Sequence, residues 1–288
     1  MVIGDQYRKC VVFLFADVPD PDNRELKRTP AATAFLAGVP APGPPPVGSE
    51  GVFFRYLVTA RHVVALSRKY GSLFVRIHRA DDSAVFMELP PDAWHEHPSE
   101  EVAVSLLRTS APLNHVLIAT DQFALDAKVG EYRIATGDEV FFVGLFSEHP
   151  GTDRNQPILR FGNISLMPDE KILVNVGDST ARIRAYLVEA RSWGSHSGSP
   201  AFVFFPPDRF GNSISVGTAL PIFLLGLVQG HQEIKSEVAF IGDVLGSGKV
   251  PVNAGIAVVV PAQEIHDLLM SEVVVTERDE LSGLRPRA

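Results

Sequence analysis

Short apolar runs recur from one end of this chain to the other, and they limit the folds open to it. KCVVFLFA, VFFRYLVTA, SLFVRIHR, EVFFVGLF, PILRFGNISL, ARIRAYLVEA, PAFVFF, PIFLLGLVQG and AGIAVVV are all rich in Val, Phe, Ile and Leu. Segments such as GVPAPGPPPVGSEG, FPPDRFGN and LGSGKVPVNAG separate them. β-branched and aromatic runs bounded by Pro, Gly, Asp and Asn read as strands and turns. Helical patterns are few: a short turn at RHVVALSRK, and PAQEIHDLLMSEV, where Pro261 suits a first helical turn and Ile265, Leu268 and Leu269 share one face. About eleven strands and one C-terminal helix predict an all-β chain of two packed six-stranded antiparallel barrels. The polar stretch RTSAPLNHVLIATDQFALDAKVG predicts a seam near residue 120, giving barrels over 1–120 and 121–272 and a charged, partly mobile tail over 273–288. The Pro-rich residues 41–48 predict an exposed loop.

Composition removes several classes of function. A net charge of −8 over 288 residues offers no basic surface to a phosphate backbone or an anionic membrane, so neither nucleic acid nor membrane is expected as a partner. The first apolar run is too short, and too poor in small residues after it, for a secretory leader. ALPIFLLGLV is far short of a membrane span. Cys10 is the single cysteine, so no disulfide forms within the chain; a reducing, cytoplasmic setting is expected, with Cys10 a small core residue. GSGK at 246–249 lacks the spacing of a phosphate loop, and His95, Glu96 and His97 are adjacent residues that point apart, with no third ligand at a recognisable spacing. No cofactor or metal is expected. Asn163-Ile-Ser is a formal glycosylation sequon, without meaning in the absence of secretion.

ARSWGSHSGSPAFVF, residues 190–204, carries the chemical signal. A serine in a Gly-Ser turn is ordinarily a turn residue. It becomes a nucleophile when a base takes its proton, a third group orients the base, and donors await the oxyanion. Upstream, YLVTARHVV ends a strand and sets His62 at the start of a helical turn, and HPSEEVAVSLL sets Glu101 just before an alternating strand. Glu100 is an alternative acid, and the two glutamates also read as a solvated pair.

These three segments resemble those of the trypsin-like, chymotrypsin-fold serine proteases. LVTARHV resembles the histidine motif of that family, EVAVSLL its Asp-Ile-Ala-Leu-Leu motif, and GSHSGSP its Gly-Asp-Ser-Gly-Gly-Pro motif, in the same order. Weaker echoes of the high-temperature-requirement protease domain extend the resemblance over roughly residues 10 to 270. The resemblance implies His62 as general base, Glu101 as orienting carboxylate, Ser197 as nucleophile, and the backbone N–H groups of Ser195 and Ser197 as oxyanion hole.

Several departures stand against it. The acid is Glu where the family has Asp, and losing that carboxylate altogether costs about 10⁴ in turnover. Ser195 stands where the family has Gly; a flipped peptide there would remove one oxyanion donor, worth about 10² to 10³. His196 occupies the position of the Asp that answers zymogen cleavage, so activation of that kind is not expected. Counting back six residues from Ser197 sets Arg191 at the floor of the substrate pocket, with His231 near its wall; two basic groups there imply an acidic residue before the scissile bond. The expected activity is therefore a serine endopeptidase acting on peptide or protein, with control by a protein partner left open. The alternative is a catalytically silent trypsin-fold module that binds a peptide or protein, and a third reading is a scaffold for a larger assembly.

Overall fold

The computed structural model describes the chain except residues 1–2, 21, 23, 44–50, 110–111, 177–178, 191–195, 207–208, 210–220, 241–245 and 283–288, and the side chains of 232–240 and 246–254. The predicted Pro-rich loop therefore falls mostly outside the described residues. The N-terminal half contains α1 (Gln6–Lys9), β1 (Val11–Pro19), β2 (Leu26–Pro40), β3 (Phe53–Thr59), α2 (Arg61–Tyr70), β4 (Leu73–His78) and β5 (Ala84–Leu89). It continues through β6 (His95–Glu96), β7 (Ala103–Leu106), β8 (Ile118–Ala119) and α3 (Asp126–Glu131). Next come β9 (Glu139–Gly144), β10 (Ile158–Leu166), β11 (Lys171–Val176), β12 (Ser179–Arg184), β13 (Tyr186–Glu189) and β14 (Pro200–Phe204). The chain ends with β15 (Ile222–Phe240), β16 (Gly246–Pro261), α4 (Ala262–Leu269) and α5 (Glu272–Leu281).

The C-terminal half closes into a six-stranded barrel in the order β10-β13-β16-β15-β14-β9. The N-terminal half differs from the expected second barrel. Its strands pair along the open path β5-β4-β1-β2-β3-β7-β6, with β8 laid parallel to β2, and β6, two residues long, makes no pairing with β5 among the described residues.

Two clusters form the core. Val140, Phe142, Ala201, Val203 and Leu225 fill the barrel interior, whereas Phe141, Val143, Phe202 and Leu224 join the residues of β1, β2 and β3. Strands β9 and β14 are thus buried on both faces, which is why EVFFVG and PAFVF read as continuous apolar runs and not as alternations. Tyr7 of α1 packs edge-on to Phe141 and Phe202, with ring centroids 5.4 and 4.9 Å away.

Local differences from the sequence reading have physical causes. ARIRAYLVEA, read as one strand, is divided between β12, which pairs with β11 as a separate hairpin, and β13, which enters the barrel beside β16. LGSGKVPVNAG, read as a turn, lies within β16. Over that part β16 pairs, among the described residues, with β15 alone, so Pro251 sits on a ribbon edge, where its missing N–H is tolerated. Part of the expected tail is α5, with Val274 and Arg278 buried. Arg278 donates to the Leu269 carbonyl at 2.6 Å, satisfying an orphan acceptor at the end of α4. No helix among the described residues is long and apolar enough to cross a membrane.

Candidate active site

Helix α2 begins directly after β3, so His62, its second residue, is presented at the end of a buried strand. Gly71, at φ +98°, stops the helix nine residues later. Glu101 lies two residues before β7, which pairs with β3, so histidine and acid descend from neighbouring strands. The Glu101 side chain is fully buried. Its Oε2 lies 2.9 Å from His62 Nδ1 and accepts the His62 backbone N–H at 3.2 Å, while Oε1 accepts Arg61 Nε–H at 3.2 Å. Burial pushes the Glu101 carboxyl up, but the His62 hydrogen bond and the nearby positive charge of Arg61 outweigh it and hold the group below its ordinary value. With Nδ1 engaged by the carboxylate, Nε2 is the nitrogen left to take a proton.

Glu100 has a separate environment. It accepts Lys171 Nζ at 2.6 Å, the Arg184 backbone N–H at 2.8 Å and Ser99 Oγ at 3.1 Å, all away from His62. The solvated-pair reading of the two glutamates is therefore corrected: both are buried, Glu101 at 0% and Glu100 at 2% exposure, because each has polar partners of its own.

Ser197 sits in a tight turn closed by the Ser199 N–H to the His196 carbonyl at 2.9 Å. Gly198, third in that turn, has φ +86°, and a Cβ there would meet the Thr33 carbonyl oxygen at 2.1 Å, so only glycine fits. The turn is held from both halves of the molecule: Gly198 N–H donates to Val228 O at 2.7 Å, and Thr33 N–H donates to Ser197 O at 3.0 Å. Thr33 is a junction. Its carbonyl accepts Thr59 Oγ1 at 2.8 Å, and its own hydroxyl accepts the Leu145 N–H at 2.9 Å. Gly144, next to Leu145, packs against Ser199 and Thr33, so that a Cβ there would force the Ser199 hydroxyl to move.

His62, Glu101 and Ser197 line one cleft of about 530 Å³, together with Arg61, Val176 and Ser179. The Ser197 hydroxyl donates to the Gln229 carbonyl at 2.8 Å. His231 is half-buried on β15, opposite Ala257. Arg191 and Ser195 lie outside the described residues. His196 is buried and packs edge-on to Phe142 at 5.7 Å. His95 and His97 are used elsewhere: His95 pairs with Glu277 at 3.0 Å, and His97 Nδ1 accepts the Glu100 N–H at 2.9 Å.

Sequence reasoning did not single out Thr33, Thr59, Arg61 or Gln229. Thr59 and Arg61 stand in LVTARHV itself, but an acceptor for a threonine hydroxyl 26 residues away is set by strand pairing, which spacing does not encode.

No family model matches the chain, and no curated protein is significantly similar to it. Among solved structures it is similar to the active form of the Rv3671c protease from M. tuberculosis, at 18% identity and a TM-score of 0.46, over 91% of this chain and 79% of that one. It is also similar to Deg5, at 17% identity and a TM-score of 0.41, over 76% and 85% of the two chains.

Proposed function

We propose that this protein is a serine endopeptidase in which Ser197 is the nucleophile, His62 the general base and then acid, and Glu101 the group that orients His62. The observation that carries the reading is the fully buried Glu101 carboxylate 2.9 Å from His62 Nδ1, in the same cleft as Ser197. A buried carboxylate facing a histidine fixes the tautomer and stabilises the imidazolium that forms when the base takes a proton.

In the proposed cycle Ser197 Oγ leaves the Gln229 carbonyl, passes its proton to His62 Nε2 and attacks the peptide carbonyl. The oxyanion is received by the backbone N–H groups of Ser197 and Ser195. Collapse of the tetrahedral intermediate breaks the C–N bond, and His62 gives its proton to the departing amine. Water, activated by the same imidazole, then releases the acyl group and restores Ser197. Glutamate serves where the related motif has aspartate: its carboxylate reaches His62 Nδ1 at 2.9 Å and also accepts the His62 backbone N–H. An acidic residue before the scissile bond is proposed on Arg191, with His231 as a hydrogen-bonding neighbour.

The test is digestion of denatured casein by the wild type and by His62→Ala, with the new termini mapped by mass spectrometry. Cleavage lost in the variant, and enriched after Asp or Glu, supports both parts of the reading. Cleavage equal in the two proteins removes the catalytic assignment, and cleavage without acidic enrichment removes the specificity alone.

A further inference from the structure

We propose that the β11–β12 hairpin forms the cleft wall that grips the polypeptide substrate, and that Glu100 is the positioning residue that docks it. This rests on the reading of the cleft as a polypeptide site. The hairpin is a separate two-stranded sheet outside the barrel. Two strands alone are marginal in water, so its position depends on what holds it.

One face of the hairpin is packed: Val174 and Ile183 are buried in the core cluster that also contains β1 and β3. Val176 and Ser179, at its far end and paired in register, line the same cleft as His62. Three sets of polar tethers hold it, one being the Arg184 side chain on Asp126 at 2.9 Å and on Glu264 at 3.4 Å. At the base, Glu100 takes Lys171 Nζ at 2.6 Å and the Arg184 N–H at 2.8 Å, one contact from each strand. Nearer the tip, Gln229 Nε2 donates to the Asn175 carbonyl at 3.0 Å, and the backbone carbonyl of that same Gln229 holds the Ser197 hydroxyl.

The adjacent glutamates thereby divide the work. Glu101 faces the imidazole, whereas Glu100 faces the hairpin. A carboxylate buried to 2% exposure and hydrogen-bonded to an ammonium and a backbone amide is a stiff joint. Its partner Lys171 is half exposed, so it can be changed with little cost to folding. A wall placed there matters to a chain long enough to run between α2 and the hairpin.

The experiment uses fluorescein-labelled denatured casein as probe and fluorescence anisotropy as readout, with the full chain carrying Ser197→Ala so that nothing is consumed. Adding Glu100→Ala is expected to raise Kd about tenfold and adding Lys171→Ala about threefold, as for loss of a charge-assisted contact. With Ser197 intact, KM for casein should rise by similar factors while kcat falls less than about twofold. If Glu100→Ala fails to fold, Lys171→Ala decides. Equal Kd values in all proteins, or no casein binding by Ser197→Ala, would overturn the assignment. A fall in kcat at unchanged KM would also overturn it, since Glu100 would then be serving Glu101. A wild type that cleaves nothing, with Ser197→Ala binding casein and Glu100→Ala weakening it, would remove the catalytic reading and leave the hairpin assignment standing.

Discussion

At the scale of single residues, the geometry explains how a glutamate can stand where the related motif has aspartate. Its carboxylate is buried and takes three contacts: the His62 ring, the His62 backbone and Arg61. Glu101→Gln keeps the shape but removes the charge, and kcat is expected to fall by up to about 10⁴ with KM little changed, measured by steady-state kinetics on a cleaved peptide. Glu101→Asp is also expected to lose activity, because the shortened carboxylate retreats from an imidazole placed for glutamate. An Asp variant as fast as wild type would contradict this. The carboxyl is held below its ordinary value, so its contribution to stability is fully present above about pH 4.5 and is lost as pH falls through the lower folded value. His62, Glu101 and Ser197 could be nominated from the sequence because each lies beside a recognisable strand end, and of these the structure joins His62 to Glu101. Which of the two adjacent glutamates meets His62 was less so, since spacing alone leaves Glu100 and Glu101 open and only the pairing of β3 with β7 separates them.

At the scale of elements, the turn that carries Ser197 depends on contacts from strands distant in sequence. Gly198→Ala would drive a Cβ into the Thr33 carbonyl at a positive φ, and is expected to abolish reaction at Ser197 in a protein whose far-UV spectrum is retained. Thr33→Val would strip the Leu145 N–H of its buried acceptor, at about 1–3 kcal/mol in a urea titration, whereas Thr33→Ser should restore most of the loss. An unchanged Thr33→Val midpoint would remove the junction from the account. The strands β9, β10 and β14 were readable because two-sided burial or bounded apolar runs mark them. The β11–β12 pairing was not: KILVNV is short and mixed and went unread, and ARIR was read as running on into β13, because the two strands of this hairpin pair with each other and not with a core strand. Helix α5 was hidden for a related reason: its charged sequence gives a weak amphipathic pattern, and it is held by His95 and Arg108 at Glu277 and by the inward turn of Arg278.

For the whole molecule, the barrel and the open sheet meet through residues of both, and pH acts on the open sheet through the half-buried His115. His115 Nε2 accepts the His78 N–H at 2.9 Å and Nδ1 lies 2.9 Å from the Lys9 carbonyl, so both ring nitrogens are committed in the neutral form. Burial lowers its pKa to about 4. Because the unfolded chain takes up the proton first, stability is expected to fall as pH drops from about 6.5 toward 4. His115→Gln should flatten that slope in Tm measured against pH; an unaltered slope would assign the dependence to other groups. The central claim is an activated serine in the cleft between the halves, and its most direct measurement is labelling by a fluorophosphonate, read by intact mass. One adduct per chain is expected, located on Ser197 and absent from both Ser197→Ala and His62→Ala. A folded wild type that takes up no label, or one labelled equally well without His62, would contradict it.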